Sequence, residues 1–213
     1  MKPKEIFGVP IQKKGGYHDT ESKKSYVAPE HVEEVFNTLR ERFMLINNWK
    51  RYCGEGFADF KLFDSEGKMI NRYPLIGDYI RIDIPGPGTV EANGFDWVQI
   101  VDLFEEQTHG ICLDFVMMTC RPSKNPQDKT SEHILHFYSD QATSTFGIFK
   151  GRDFIQVGIY GRNETPNMDA EFLDKTRNLL IAAGGMIGVS KIEWKTLVNG
   201  LLDFQRFEKK GVK

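Results

Sequence analysis

The spacing of apolar residues changes twice along this 213-residue chain, and those changes restrict the fold more than any other feature. Between Val32 and Ile46, apolar residues recur at steps of three and four, as in an amphipathic helix. From Phe57 the period changes to two, and apolar and polar residues alternate in Phe57–Asp64 and Tyr79–Ile84, as they do in β-strands. The helical spacing returns after Asp169. Because parallel strands need crossovers and the middle of the chain has no helical pattern, the sequence predicts an antiparallel sheet.

Residues that favour turns and helix ends divide these regions into elements. The first helix begins at Pro29 and ends at Gly54, with Asn47 and Asn48 as a candidate interruption. A second helix covers Asp169–Ala183, and Ser190 and Glu193, which have the spacing of a capping box, begin a third. The predicted strands are Phe57–Asp64 with a short partner at Lys68–Tyr73, Tyr79–Ile84, Asp96–Phe104, Ile111–Cys120, His133–Tyr138, Thr145–Phe149 and Phe154–Tyr160.

The order of these elements predicts an α+β protein. We expect a curved antiparallel sheet of about six to seven strands, with one N-terminal helix and two C-terminal helices packed on it. Residues 29–208 form this single domain, residues 1–28 an irregular arm, and residues 209–213 a frayed tail. By element order alone, the chain resembles helix-grip (START-like) folds, although its two C-terminal helices replace the single long helix of that group.

Charge and composition exclude several classes of protein. The chain has 28 Lys+Arg and 30 Asp+Glu, a net charge of −2, which argues against a nucleic-acid partner. No stretch reaches the roughly 18 apolar residues that a membrane span needs, and no apolar region of a secretory signal follows the N-terminus. We therefore expect a cytoplasmic protein with no membrane span. Its three cysteines lack a C-x-x-C pair, so neither a disulfide framework nor a zinc knuckle is predicted.

The common motifs of cofactor binding and catalysis are also absent from the sequence. It has no dinucleotide-binding glycine motif after a strand, no P-loop, no nucleophile-elbow motif and no zinc-protease motif. His133 and His136 are the only closely spaced histidines. On a strand, residues three apart point to opposite faces, so these two side chains could not share one ion. The sequence therefore predicts neither a metal nor a cofactor.

Four polar side chains near predicted strand ends are the candidate ligand contacts: His136, Tyr138, Arg121 and Arg162. His136 also fits a buried, hydrogen-bonded structural role. Arg162 lies in Gly161–Asn167, a segment rich in hydrogen-bonding side chains. That segment fits an anion site with a guanidinium donor, or a strand-to-helix turn that caps the next helix. Arg121 fits a local salt bridge or a place facing a pocket.

Three functional hypotheses follow from these features. The first is binding of a small hydrophobic or amphipathic ligand in a pocket between the sheet and the C-terminal helices, because aromatic residues on strands can line a cavity. Loops 85–94 and 121–130 would border its mouth. The second is an enzyme with His136 as general base and Arg162 as the contact for an anionic substrate. The third is a non-catalytic interaction module that forms a homodimer through an exposed strand edge.

Overall fold

The computed structural model describes residues 2–54, 58–83, 95–106, 114–167 and 193–204. Within these ranges the chain forms seven strands and three helices, with a short 3-10 turn at Ile46–Asn48 between the first two helices. In chain order the elements are β1 (Gly16–Ser25), α1 (Pro29–Met44), α2 (Trp49–Cys53), β2 (Asp59–Phe63), β3 (Tyr79–Asp83), β4 (Phe95–Glu106), β5 (Asp114–Pro122), β6 (Thr143–Lys150), β7 (Phe154–Glu164) and α3 (193–202).

All seven strands belong to one antiparallel sheet, in the order β1-β7-β6-β5-β4-β3-β2. From β2 to β7, each strand pairs with the next strand along the chain. β1 then pairs with β7, which places the first strand beside the last. The α+β fold class and the antiparallel sheet predicted from the sequence are confirmed. The order of the elements is that of a helix-grip fold.

The helices pack on one side of the sheet, which we call the helix-facing side. The indole ring of Trp49 in α2 contacts Phe60 of β2 and Phe146 of β6, with ring centroids 5.3 and 5.4 Å apart. Its Nε1–H donates to the Phe43 carbonyl at 3.0 Å, so the polar group of this buried ring is satisfied. Residues from α1, α2 and α3 join alternate residues of six strands in this core.

The opposite side of the sheet, which we call the far side, is covered in part by the N-terminal residues 2–15, the strap. Phe7 contacts Phe104 of β4 and Phe115 of β5, with centroids 5.9 and 6.1 Å apart. Backbone amides of the strap at Lys13 and Lys14 donate to Asn163 Oδ1. The strap therefore runs over strand ends that the helices leave uncovered.

The prediction of an irregular arm over residues 1–28 is wrong for Gly16–Ser25, which form β1. This strand pairs with β7 from Gly16 to Ser25. Its residues are mostly polar, so they lack the alternation of large apolar side chains that identifies a half-buried strand. Backbone pairing with β7, rather than apolar side chains, holds it in the sheet.

The strand predicted at His133–Tyr138 is also wrong. This segment crosses the ends of the central strands, and Tyr138 alone makes an isolated bridge, to Pro166. Its Leu135 carbonyl accepts from Trp97 N, and its Leu135 N–H donates to Ser123 O, both at 3.0 Å. Backbone groups at the end of the sheet are thus hydrogen-bonded to this crossing segment. The alternation of apolar and polar residues in the segment does not distinguish it from a strand.

The remaining differences concern the ends of elements. β7 continues past the predicted end at Tyr160 to Glu164, so most of Gly161–Asn167 lies in the sheet rather than in a turn. The predicted partner strand at 68–73 is reduced to a bridge between Phe63 and Met69. The predicted helix 169–183, loop 85–94 and tail 209–213 lie outside the described residues.

The last helix is confirmed over its described part, 193–202. Ser190, the predicted cap of this helix, lies outside the described residues, but its predicted partner Glu193 has a different contact. Glu193 Oε2 accepts from Ala58 N at 3.0 Å. This bond ties the start of α3 to the residue before β2, and burial raises the pKa of the carboxyl group.

Candidate functional site

A β-bulge between β1 and β7 brings two polar side chains together on the helix-facing side. The register passes from the pair Gly16 and Glu164 to the pair His18 and Gly161, so β7 has one residue more than β1 in this interval. Within the bulge Asn163 has a φ of 56°, a left-handed conformation that Asn tolerates better than most residues. A bulge bends its strand and redirects the side chains that follow, which here include Glu164.

The redirected Glu164 carboxylate meets the imidazole of His18. Oε1 of Glu164 lies 2.6 Å from His18 Nδ1, and each side chain is only 9% exposed. The contact depends on the glycine between them. A Cβ at Gly161 would lie 2.0 Å from Glu164 Oε1 and 2.2 Å from His18 Nδ1. A larger residue at this position would therefore separate the two side chains.

The second nitrogen of the His18 ring is buried and has no hydrogen-bond partner within the described residues. A carboxylate can only accept a hydrogen bond, so Glu164 favours the imidazole tautomer that carries its hydrogen on Nδ1 and its lone pair on Nε2. A buried polar atom without a partner costs about 1–3 kcal/mol, so such atoms in native structures call for an explanation. His18 Nε2 is therefore the atom from which we build the candidate site.

Tyr138 and Trp194 complete this site, which we call the His18 cluster (His18, Tyr138, Glu164 and Trp194). Burial raises the pKa of the Tyr138 hydroxyl, and the charge and side-chain hydrogen bond of Glu164 raise it further. The phenol thus stays protonated and donates to the carboxylate. The Trp194 indole stacks on the His18 ring with an interplanar angle of 5° and a centroid distance of 6.5 Å.

The cluster adjoins an aromatic wall on the helix-facing side. Trp194 also contacts Phe146 and Phe60, with ring centroids 5.6 and 6.3 Å apart. The polar groups of the cluster therefore lie at the border of the apolar core, in which Phe60 and Phe146 are buried. Sites for small molecules commonly combine an apolar wall with a few fixed polar groups, and the His18 cluster has both parts.

The sequence named one member of this cluster, Tyr138, and missed the other three. By sequence, His18 lies in the predicted arm 1–28, and Trp194 follows Glu193 in the predicted third helix. Glu164 lies in Gly161–Asn167, the polar segment that was singled out for Arg162. The sequence did not predict the bulge that brings these side chains together. The bulge depends on the pairing of β1 with β7, so the sequence of either strand alone does not indicate it.

Arg162 is buried, and its guanidinium is already bound to backbone carbonyls and to one carboxylate. It is 1% exposed, and its guanidinium donates to the carbonyls of His18, Gly161 and Lys4 at 3.1, 2.8 and 2.9 Å. It also forms an ion pair with Asp19 at 2.7 Å. These contacts tie the strap, β1 and β7 together, so the guanidinium has a structural role rather than that of an anion contact.

His136 is likewise a structural residue in its contacts. Its Nδ1 accepts from the backbone N–H of Tyr138 at 2.9 Å, and its ring stacks on Phe137. Burial lowers its pKa to about 3, because a charged imidazolium is disfavoured away from water. A base this weak is poorly matched to proton abstraction near neutral pH, so the enzyme hypothesis that relied on His136 and Arg162 lacks both of its residues.

Two cavities lie on the far side, where the sequence predicted none. One, of about 540 Å³, is formed by Ile6 and Phe7 of the strap and by a floor that includes Phe115, Phe149 and Tyr160. The other, of about 530 Å³, contains Arg121, the last of the predicted ligand contacts. Among the described residues, no group of three or more His, Cys, Asp or Glu side chains could hold a metal ion.

No helix in the described part of the chain is long and apolar enough to cross a membrane. No protein-family model matches the sequence, and no curated protein matches it either. Solved structures with similarity to the chain include a hypothetical protein from Helicobacter pylori, at 8% identity and a TM-score of 0.48 over 95% of this chain and 100% of that one.

Two further solved structures are less similar. XoxI from Bacillus cereus has 12% identity and a TM-score of 0.34 over 90% of this chain and 99% of its own. Norcoclaurine synthase from Thalictrum flavum, solved with dopamine and hydroxybenzaldehyde, has 11% identity and a TM-score of 0.33 over 91% of this chain and 96% of its own. These similarities do not assign the chain to a family.

Proposed function

We propose that this protein binds a small hydrophobic or amphipathic molecule on the helix-facing side of the sheet, with His18 as its polar contact. The observation that carries the proposal is the buried Nε2 of His18, which has no partner within the described residues. A donor group on a ligand would satisfy this nitrogen, while the rings of Trp194, Phe60 and Phe146 would contact its apolar part.

The fixed orientation of His18 further supports this function. Glu164 holds Nδ1, and Tyr138 in turn donates to Glu164, so the imidazole is oriented before any ligand arrives. Such preorganisation reduces the entropy lost on binding. The first measurement is a native mass spectrum of freshly purified protein, compared with its denatured mass. We expect additional mass that is lost on denaturation and that identifies the class of ligand.

The location is tested with the neutral fluorescent probe N-phenylnaphthylamine, whose amine can donate to Nε2. We expect the folded protein to bind about one probe per chain, with energy transfer from tryptophan. His18→Phe keeps a ring against Trp194 but removes both nitrogens. It should weaken binding about tenfold, the effect of losing one hydrogen bond. His31→Phe, at an exposed position on α1, is the matched control and should leave binding unchanged.

A third variant separates this site from the apolar cavity on the far side. Phe154 lines that cavity, so Phe154→Ala should leave probe binding unchanged. If Phe154→Ala abolishes binding and His18→Phe does not, the ligand lies on the far side and the proposed location is wrong. Probe binding that appears only on partial unfolding would reject ligand binding by the native protein altogether.

The pairing of His18 with Glu164 favours a second candidate function, catalysis with His18 Nε2 as a general base. A base held in one tautomer by a carboxylate is the usual arrangement for proton abstraction. The tautomer is measured by nitrogen NMR of the imidazole ring. We expect the proton on Nδ1 and a lone pair on Nε2; a neutral ring with its proton on Nε2 would remove the base.

A further inference from the structure

The second far-side cavity has a different chemistry from the His18 cluster. Of its lining residues, Lys13, Lys14 and Arg121 carry positive charge, and Asp140 is the single acid among them. Within the described part of the chain, none of the three cations forms an ion pair or a side-chain hydrogen bond. Three unpaired cations around one concave space create a positive potential that attracts anions.

The backbone of the strap holds two of these cations in place. The N–H groups of Lys13 and Lys14 donate to Asn163 Oδ1 at 2.7 and 3.2 Å. Gln12 supports the same turn, because its side chain donates to Lys14 O and accepts from Asn163 N. The lysines thus extend from a backbone turn that is already fixed, so the turn need not become ordered when a ligand binds.

Across the cavity, Arg121 and Thr143 come from adjacent parts of the sheet. Arg121 is near the end of β5, and Thr143 begins β6. Thr143 is 3% exposed, and its hydroxyl has no hydrogen-bond partner among the described residues. A guanidinium offers two parallel donors to an oxyanion, ammonium groups add charge, and a hydroxyl can supply a further bond.

We propose that this cavity, formed by Lys13, Lys14, Arg121 and Thr143, is a binding site for a soluble molecule that carries a phosphate group. The space of about 530 Å³ exceeds a bare phosphate and accommodates a phosphate monoester with an organic part. The site lies on the other side of the sheet from the His18 cluster, so it does not depend on the function proposed there. A doubly charged phosphate matches three cations and one carboxylate better than a single carboxylate ligand would.

The test is calorimetric titration of the purified full chain with phenyl phosphate, with inorganic phosphate and with acetate, at constant ionic strength. We expect saturable binding of both phosphates, stronger for phenyl phosphate, and weaker or no binding of acetate. Arg121→Gln should reduce phosphate affinity by about tenfold or more. Arg152→Gln, which removes an exposed arginine at the turn between β6 and β7, is the matched control and should bind like the parent protein.

A second variant distinguishes a built site from general attraction to positive charge. Thr143→Val replaces the unpaired hydroxyl with a methyl group of similar shape, so the stability of the fold should be unchanged or higher. Phosphate affinity should nevertheless fall several-fold. The proposal is overturned if the parent protein shows no saturable phosphate binding, or if Arg121→Gln and Arg152→Gln weaken it equally.

A lipid headgroup would present the same phosphate chemistry from a membrane. Sedimentation with vesicles of phosphatidylcholine, with and without phosphatidylglycerol, separates the two sources. We expect no binding to either kind of vesicle. Binding to the anionic vesicles without saturable binding of phenyl phosphate would overturn the assignment to a soluble phosphate.

Discussion

Buried polar residues in this protein divide into those whose hydrogen bonds are complete and those with an atom left over. The guanidinium of Arg162 and the acceptor nitrogen of His136 belong to the first group. The Nε2 atom of His18 and the Thr143 hydroxyl belong to the second. An unpaired buried polar atom costs free energy, so a ligand that forms a hydrogen bond with an atom of the second group would remove that cost.

Removing the Arg162 side chain should be strongly destabilising. Arg162→Met would leave Asp19, whose side chain is 14% exposed, without the cation that neutralises it. Loss of one partner of a buried ion pair typically costs about 3–5 kcal/mol, and we expect about 3 here because Asp19 keeps some contact with water. Urea denaturation measures the change, with Arg152→Met at an exposed position as control. A loss below about 1 kcal/mol would contradict the structural role of Arg162.

His136 should make stability depend on pH in acid. Its pKa is about 3 in the folded protein and near 6.5 in its ordinary state. As the pH falls below 6.5, His136 is protonated in the unfolded chain but stays neutral in the folded chain. Its contribution to the free energy of unfolding is therefore complete above pH 6.5 and is lost as the pH falls toward 3. The resulting slope is up to about 1.4 kcal/mol per pH unit.

The contribution of His136 is isolated by comparing variants over the same pH range. His136→Asn keeps an acceptor near the Tyr138 N–H but does not titrate, so the acid sensitivity of its unfolding free energy should be smaller. His133→Asn, at an exposed position, should keep the slope of the parent protein. Equal slopes for all three proteins would mean that His136 takes up its proton over the same pH range in the folded and unfolded states.

At the scale of elements, the bulge in β7 joins the strap to the His18 cluster. Asn163 has a left-handed backbone and accepts two bonds from the strap. Asn163→Gly and Asn163→Ala lose the same side-chain bonds, but only alanine adds backbone strain. We expect Asn163→Ala to be less stable than Asn163→Gly by about 1 kcal/mol in urea denaturation. Equal stability of the two variants would show that the bulge relaxes when the side chain is removed.

What the sequence could predict among these elements depended on apolar periodicity. β2 and β3 alternate apolar and polar residues, and their predicted positions agree with the structure. β1 has no such alternation. Its pairing with β7 joins residues more than a hundred positions apart, and no local sequence pattern reveals such a pairing. The same limit applies to the candidate site. Tyr138 could be singled out for its residue type, but predicting that it lies beside Glu164 and His18 requires the register of β1 on β7.

At the scale of the whole molecule, the two sides of the sheet have different covers and different chemistry. Helices close the helix-facing side, where an apolar core surrounds few polar groups. The strap crosses the far side and forms walls of both cavities found there. β7 carries Asn163 and Glu164 in consecutive positions. This strand would therefore lie beside both a ligand on the helix-facing side and an anion on the far side.

The edges of the sheet bear on the hypothesis of a homodimer. At the β2 edge, Leu62 already bonds to the Asn47 side chain through its N–H and to Ile70 through its carbonyl. At the β1 edge, Lys195 donates to Glu21 O at 2.7 Å, and lysines at 23 and 24 add charge. Charged side chains and occupied backbone groups oppose pairing between edges.

We therefore expect a monomer of 24.5 kDa in solution. Light scattering after size-exclusion chromatography, at loading concentrations about a hundredfold apart, measures the mass. A concentration-independent monomer mass would weaken the hypothesis of a dimeric interaction module and leave ligand binding as the function to pursue. A doubled mass that persists on dilution would contradict the expected monomer and favour the dimeric interaction module.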